Sequence, residues 1–295
     1  MQCPKVLGKV SDIGLSARAT IGGTTRTRQV VIGSTAAALA VCYAATLRGM
    51  FQQWSSDPDM SHGLVVPVLA LWIVWRERER WRALPAEPNR WGFAVLAAGA
   101  GMQLAAALGA GLFAGSVAFL VSVSGAVLCL GGIALLRAWA FPLLLTLFML
   151  PKLAIVYNQA TLPLQLLASR IAAGILTLAG MVVIREGNIL DVAGRRVAVL
   201  EACNGMRYLL SLGFVAVVLA YLSDRKPWMR GALLAAAVPI AILANAVRVA
   251  AAGWLPWLAE GTPHAISGGF LFVLCLATLM LVQRLFNKVY AHFQG

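Results

Sequence analysis

Charge is what this sequence has least of, and acidic charge is the scarcer sign. Only 12% of its residues are charged, and 24 lysines and arginines face 11 aspartates and glutamates. Three histidines and five cysteines complete a small stock of reactive side chains. A soluble domain carries about 25% charged residues. This chain, at 60% hydrophobic residues and a mean hydropathy of +0.82, is not built that way. Collagenous, coiled-coil and solenoid periods are missing as well. The formal net charge of +13 would suggest nucleic acid in a soluble protein. Here the basic residues cluster in short segments between apolar runs, the pattern of orientation across a bilayer, so no nucleic-acid partner is expected.

Long apolar runs are what the chain has in abundance, and they define an all-α polytopic membrane protein whose first partner is the lipid bilayer. Residues 1–29 carry Lys5, Lys9, Arg18, Arg26 and Arg28 against Asp12. They read as a cytoplasmic basic tail, since a cleaved signal peptide would have a shorter apolar region and a more compact charged leader. The integral membrane domain is expected over 30–295. Its first spans are Val30–Leu47, Gly63–Trp75, Trp91–Leu108 and Leu112–Leu136, the second being short unless Ser61 and His62 enter with it. A fifth begins at Trp139 and is interrupted by Pro151 and Lys152.

The character then changes. Leu162–Ile184 carries Gln165, Ser169 and Arg170 and suits a helix lying in or dipping into the extracytoplasmic interface, the alternative being a crossing that would place Arg225, Lys226 and Arg230 outside, against the positive-inside rule. Glu186-Gly187-Asn188 and Ala193-Gly194 punctuate two β-type runs, Ile189–Val192 and Val197–Leu200, a small β-hairpin leading to Cys203. Spans Met206–Leu222, Gly231–Ala252 and Ala265–Leu285 complete about eight transmembrane helices, with both termini cytoplasmic. Arg76–Arg82, Arg225, Lys226 and Arg230 fall inside on this assignment.

The most informative stretch is Glu201-Ala202-Cys203-Asn204-Gly205-Met206-Arg207. It puts a thiol at the entry of an apolar helix, where unpaired N–H groups and the helix dipole favour a thiolate. Arg207, one turn on, pushes the same way. A small residue packed at a helix entry would look the same in this heptapeptide alone. Arg248, 17 residues after Gly231, lies roughly 26 Å along its helix at about 1.5 Å per residue, and His264 opens the next span. Two spans separate the three residues, so thiol, guanidinium and imidazole meet at one depth. An arginine at a bilayer centre costs roughly 2.5–3.5 kcal/mol and less near the interface, so it has a partner or a task. Thiolate attack, proton transfer by imidazole and a cation for the oxyanion form one chemical logic. Cys42, Cys129 and Cys275 fall inside spans and Cys3 in the tail, which leaves Cys203 without an evident disulfide partner. His62, Asp57 and Asp59 could join Cys203 and His264 around a metal, but no pair has zinc-like spacing, so no metal and no cofactor are expected.

Cys203-Asn204-Gly205-Met206-Arg207, Asn245-Ala246-Val247-Arg248, and His264 followed by Gly268 resemble the three signature blocks of the exosortase/archaeosortase family. Met60-Ser61-His62-Gly63-Leu64-Val65-Val66-Pro67, leading to Trp75-Arg76, resembles it too, and the likeness covers roughly residues 50–290. Asn204 stands where the family often has serine. The resemblance implies a membrane-embedded cysteine transpeptidase or protease of the bacterial inner membrane. Such an enzyme would cleave C-terminal sorting signals of exported proteins at the extracytoplasmic face. Those partners carry a short motif such as Pro-Glu-Pro, a transmembrane helix and a basic tail, and the activity is linked to exopolysaccharide or surface-protein export. Carried over, Cys203 is the nucleophile, His264 the acid/base partner and Arg248 the oxyanion or carbonyl stabiliser. Ser61, His62, Asn204, Arg207 and Asn245 are substrate-binding or supporting candidates, with His62 a rival for the base role. A transporter or flippase of envelope polymers, using Arg248 as an anion site, is the alternative; it requires broken helices and polar groups near the midplane.

Overall fold

The computed structural model describes residues 25–85, 87–199, 205–223, 226–259 and 261–294. The expected basic tail, Leu200, Cys203, Asn204 and Arg225 lie largely or wholly outside those residues.

The first expected span is longer than its apolar core and is broken. Helix α1 (Thr25–Cys42) and helix α2 (Ala44–Ser56) meet at Tyr43 with a 69° bend. No proline or glycine causes the bend. Tyr43 is buried, and its hydroxyl lies 2.7 Å from Ser122 Oγ and 3.2 Å from the carbonyls of Gly99 and Ala118. A 3₁₀ turn over Pro58–Leu64, with Asp57 accepting from the Asp59 amide, runs into α3 (Val65–Arg76). Ser61 and His62 thus enter with the second span, as its length required, and Pro58–Arg76 is long enough to cross. A short α4 (Arg78–Arg82) follows.

Helices α5 (Trp91–Ala105) and α6 (Gly111–Ala138) are continuous through a π turn at Ala106–Ala110, yet they fold back on one another. Gly109 (φ 127°) and Gly111 (φ 83°) supply the left-handed backbone that the reversal needs. Gly92 faces Cys129 and Gly99 faces Ser122, so closely that a Cβ would lie 2.5 Å from the Cys129 amide nitrogen and 2.2 Å from Ser122 Oγ. Small residues let the two backbones approach without hydrophobic driving force from lipid.

Helix α7 (Ala140–Leu145) and a 3₁₀ turn (Thr146–Met149) carry the chain from Trp139, edge-on to Trp81 at 5.6 Å, to Met149, whose carbonyl accepts from Trp54 Nε1 at 3.0 Å. Trp81 and Trp54 flank opposite ends of the Pro58–Arg76 span, so this interrupted segment passes from one end of the bundle to the other. Helix α8 (Ala154–Leu178) corrects the expected interfacial helix Leu162–Ile184: it starts earlier, contains Pro163, and stops earlier. Its end is a Schellman cap. Gly180 (φ 83°) donates to the Thr177 carbonyl and Met181 to the Leu176 carbonyl. Ile184 therefore belongs to a strand, and the expected two-stranded hairpin is a three-stranded antiparallel meander of β1 (Val183–Glu186), β2 (Ile189–Val192) and β3 (Arg195–Ala198). Ala193 (φ 51°) and Gly194 (φ 82°) make the second turn of the primed, hairpin kind. Alternation along β2 buries Leu190 and Val192 against Leu176 of α8 and Val249 and Ala250.

Helices α9 (Met206–Ser223), α10 (Pro227–Trp254) and α11 (Gly261–Gln294) match the last three expected spans, each extended at one or both ends. Among the described residues six helices are long and apolar enough to cross a membrane, seven with the bent pair. That tally takes the α5–α6 hairpin as one and omits the short α7. It also includes α8, although Tyr157 near its start bonds Asp59 and Leu176 near its end packs on Gly253, both at the end of the bundle where α9 begins.

Tight backbone approach in the hairpin gives a test. Gly92→Ala drives a Cβ into the Cys129 amide and should cost about 1–3 kcal/mol, as overpacking does. Gly101→Ala, with open space around it, should be neutral or slightly stabilising. Thermal unfolding of the purified variants in detergent compares them, and a Gly92→Ala protein as stable as the parent would contradict the packing.

Candidate active site

Helix α10 is rich in alanine, and its neighbours approach closely enough to bury polar groups at its far end. Asn245 (2% exposed) and Arg248 (5%) are three residues apart and share a face. Arg248 Nη2 donates to the His264 carbonyl at 3.2 Å, and its Cζ stands 5.9 Å from the Tyr208 ring centroid, within cation–π range. Gly268 makes room for the guanidinium: a Cβ there would sit 3.0 Å from Nη2 and 3.1 Å from Cζ. The Gly268 carbonyl accepts from the Tyr208 hydroxyl at 3.1 Å, so α9, α10 and α11 converge on Arg248. Arg248 Nε is buried and has no hydrogen-bond acceptor among the described residues.

His264 sits in the first turn of α11, which Gly261 (φ 69°) opens. Its Nδ1 is 2.9 Å from the Leu258 carbonyl. A carbonyl only accepts, so Nδ1 carries the proton, and in the neutral ring Nε2 is the basic nitrogen. Arg248 is joined to His264 through the backbone carbonyl of that residue, not through its imidazole. Cys203 and Asn204 lie outside the described residues. Description resumes at Gly205 (φ 84°), where a Cβ would be 3.3 Å from Cβ, Cγ and Nδ2 of Asn245, one turn from Arg248. A water-sized cavity of about 10 Å³ adjoins them, lined by Leu164, Ala168, Gly205, Leu209, Ile242 and Asn245.

The remaining candidates go elsewhere. Ser61 is exposed, and its Oγ donates to the Pro58 carbonyl within its own turn. His62 is buried with Nε2 3.0 Å from the Phe148 carbonyl and its ring 6.3 Å from Phe214, in the core between the α7 segment and α9. Among the described residues no hydrogen bond or ring contact joins it to the Arg248–His264 pair. Arg207 is held by Asp59, with Nε 3.3 Å from Oδ1. A carboxylate at that distance offsets most of the guanidinium's field at any third group, which weakens the service to a neighbouring thiol that the sequence leads one to expect of Arg207.

Sequence reasoning misses this pairing. Asp59 also accepts from Lys152 Nζ at 2.9 Å and from the Tyr157 hydroxyl, and Lys152 meets Asp57 at 2.7 Å. A signal exists, because a lysine within apolar sequence needs a partner, yet beside Pro151 it reads only as an interruption. Among the described residues no three His, Cys, Asp or Glu side chains gather as a metal ion would require.

Residues 54–281 match the family model described as transmembrane exosortase. The chain belongs to the transmembrane exosortase family. No curated protein and no solved structure matches it. The matched stretch opens at Trp54, which anchors Met149, and contains the Asp59 cluster, Cys203, Arg248 and His264, while α1 and most of α2 precede it. At the level of the family, the chain is a membrane protein-sorting transpeptidase.

The space kept open by Gly268 yields a paired prediction. Gly268→Ala should displace the Arg248 guanidinium and slow conversion of a tagged exported substrate about 10-fold or more, since small misplacements in a reacting array are costly. Gly269→Ala has nothing within 4 Å and should convert substrate at the parental rate. Immunoblot time courses at matched membrane abundance make the comparison, and equal rates in the two variants would contradict it.

Proposed function

We propose that this exosortase is a cysteine transpeptidase that cleaves the C-terminal sorting signals of exported proteins at the extracytoplasmic face of the bacterial inner membrane. Cys203 is the nucleophile, His264 the acid/base group and Arg248 the oxyanion stabiliser. The observation that carries this reading is the buried Arg248 guanidinium, bonded to the His264 backbone and standing one turn from the Asn245 side chain on which Gly205, two residues after Cys203, is packed.

The Cys203 thiolate attacks the carbonyl carbon of the scissile peptide, and Arg248 donates to the oxygen as negative charge develops there. Collapse of the tetrahedral adduct breaks the C–N bond, and the leaving amine takes its proton from His264. That proton is the one Nε2 took from the Cys203 thiol when the thiolate formed, and Nε2 is the nitrogen suited to both transfers because Leu258 holds the other ring proton on Nδ1. The resulting thioester passes its acyl group to water or an amine, which gives its proton to Nε2, and Cys203 is released. Asn245 and Asn204 flank the reacting carbon on this reading, while Ser61 and His62 serve the outer surface and the core of the same end. A transporter would need its polar groups near the middle of the bundle. Here Arg248, His264, Asn245 and the Asp59 cluster all lie toward one end, which favours the enzyme.

The nucleophile and the cation are tested together. Cys203→Ala should abolish conversion of a tagged substrate while inserting normally, because so small a volume change rarely unfolds a bundle. Arg248→Lys should fail nearly as badly as Arg248→Ala, each losing about 100- to 1,000-fold in rate, since lysine keeps the charge but loses the planar fork. Conversion that continues in Cys203→Ala on immunoblots rules out the nucleophile.

Orientation has its own measurement. In intact spheroplasts a membrane-impermeant maleimide should label Cys203 but not cysteines placed at Arg78 or Lys226. Labelling at 226 with Cys203 silent would invert the assignment.

A further inference from the structure

The Asp59 cluster takes no part in the steps above. Its carboxylate gathers donors from three separate elements: Lys152 Nζ from the linker after the 3₁₀ turn, the Tyr157 hydroxyl from α8, and Arg207 Nε from α9. With Asp57 bonded to Lys152, two carboxylates face two cations and the formal charges cancel. The Asp59 and Lys152 side chains are only 13% and 17% exposed. A partly buried, balanced cluster of this kind adds little net stability over apolar packing, whereas it fixes the relative placement of the elements it joins.

The element fixed here is the first turn of α9. Arg207 pins it to Asp59, while Tyr208, the next residue, donates to the Gly268 carbonyl and holds its ring within cation–π range of the Arg248 guanidinium. We infer that Asp59 is a positioning residue that acts through Arg207, anchoring the entry of α9 so that the chain four residues upstream meets Arg248 in register. This rests on the reading of Cys203 as nucleophile. Arg207 is then an anchor rather than an electrostatic activator of the thiol, and the two roles differ in what they predict. If Arg207 acted by charge, removing it would raise the pH midpoint of Cys203 alkylation, and removing Asp59 would lower it.

The experiment is a double-mutant cycle of Asp59→Asn and Arg207→Gln in the full-length protein in membranes at matched abundance, with Cys203→Ala alongside. It is read by single-turnover conversion of a tagged substrate and by the pH dependence of Cys203 alkylation, followed on the Cys203 peptide by mass spectrometry. Both single variants should slow conversion about 10- to 100-fold. The double variant should be no slower than the worse single one, because the two residues act as one unit. Neither midpoint should move in the sense that charge activation requires. Losses that multiply, or midpoints that move in opposite directions, overturn the inference. Continued conversion by Cys203→Ala marks failure of the nucleophile reading and of the inference with it, whereas a dead Cys203→Ala beside multiplying losses marks failure of the inference alone. Should Asp59→Asn not accumulate, Asp59→Glu, which keeps the charge but moves it one methylene, takes its place in the cycle, and the same outcomes support or overturn the inference.

Discussion

Arg248 sets the terms for the half of the molecule around it. A guanidinium that cannot be deprotonated, buried to 5% exposure in an apolar bundle, must find acceptors and a polarisable neighbour or it will not stay there. The His264 carbonyl supplies the acceptor, and the Tyr208 ring stands at 5.9 Å. For both to reach it, α9 and α11 must approach α10 closely, and the alanine runs of α10 with Gly268 on α11 allow that approach. Composition that looks like lipid-facing filler is thus what permits the site.

Helix α9 joins this half to the other. Tyr208, Leu212, Ala216 and Ala220 pack into the cluster shared with Leu233, Ala237 and Ala241 of α10 and Cys275 and Leu279 of α11. Phe214 and Val218, on another face, enter the cluster built by Met50, Trp54, Met60, Val66, Ile73, Leu145 and Met149. A helix apolar on both sides reads as buried. Its register is nevertheless set by polar contacts, since apolar packing alone tolerates sliding. Asp59 at one end, and Tyr221 donating to Glu77 while stacking on Phe141 at the other, provide them.

Span positions are legible in the sequence wherever apolar length and basic flanks agree, as in α5, α6 and α9–α11. The bend at Tyr43 is not, because its cause is a hydroxyl finding partners 56, 75 and 79 residues away. Strand β1 reads as the tail of a helix because Val183 and Ile184 continue an apolar run, although Gly180 carries the stop signal. Within the site, Arg248 and His264 can be paired from the sequence, since only the geometry of one returning span separates them. The Asp59 cluster cannot, because its three donors lie 93, 98 and 148 residues downstream and no local pattern announces them.

The two arginines near the entry of α9 therefore stand in different energetic states. Arg207 has its charge engaged by Asp59, and its side chain, 36% exposed, is partly hydrated as well. Arg248 is buried and its Nε finds no acceptor among the described residues. A buried donor left in that condition costs about 1–3 kcal/mol, a cost that is recovered when an acceptor arrives. On the proposed chemistry the arriving acceptor is the carbonyl oxygen under attack, and the donor gains most when that oxygen carries negative charge. Interaction that strengthens toward the transition state is the kind that raises rate rather than mere affinity. On that chemistry the placement of Asp59 beside one arginine and not the other is a division of labour, one cation holding the backbone and the other kept for the reaction.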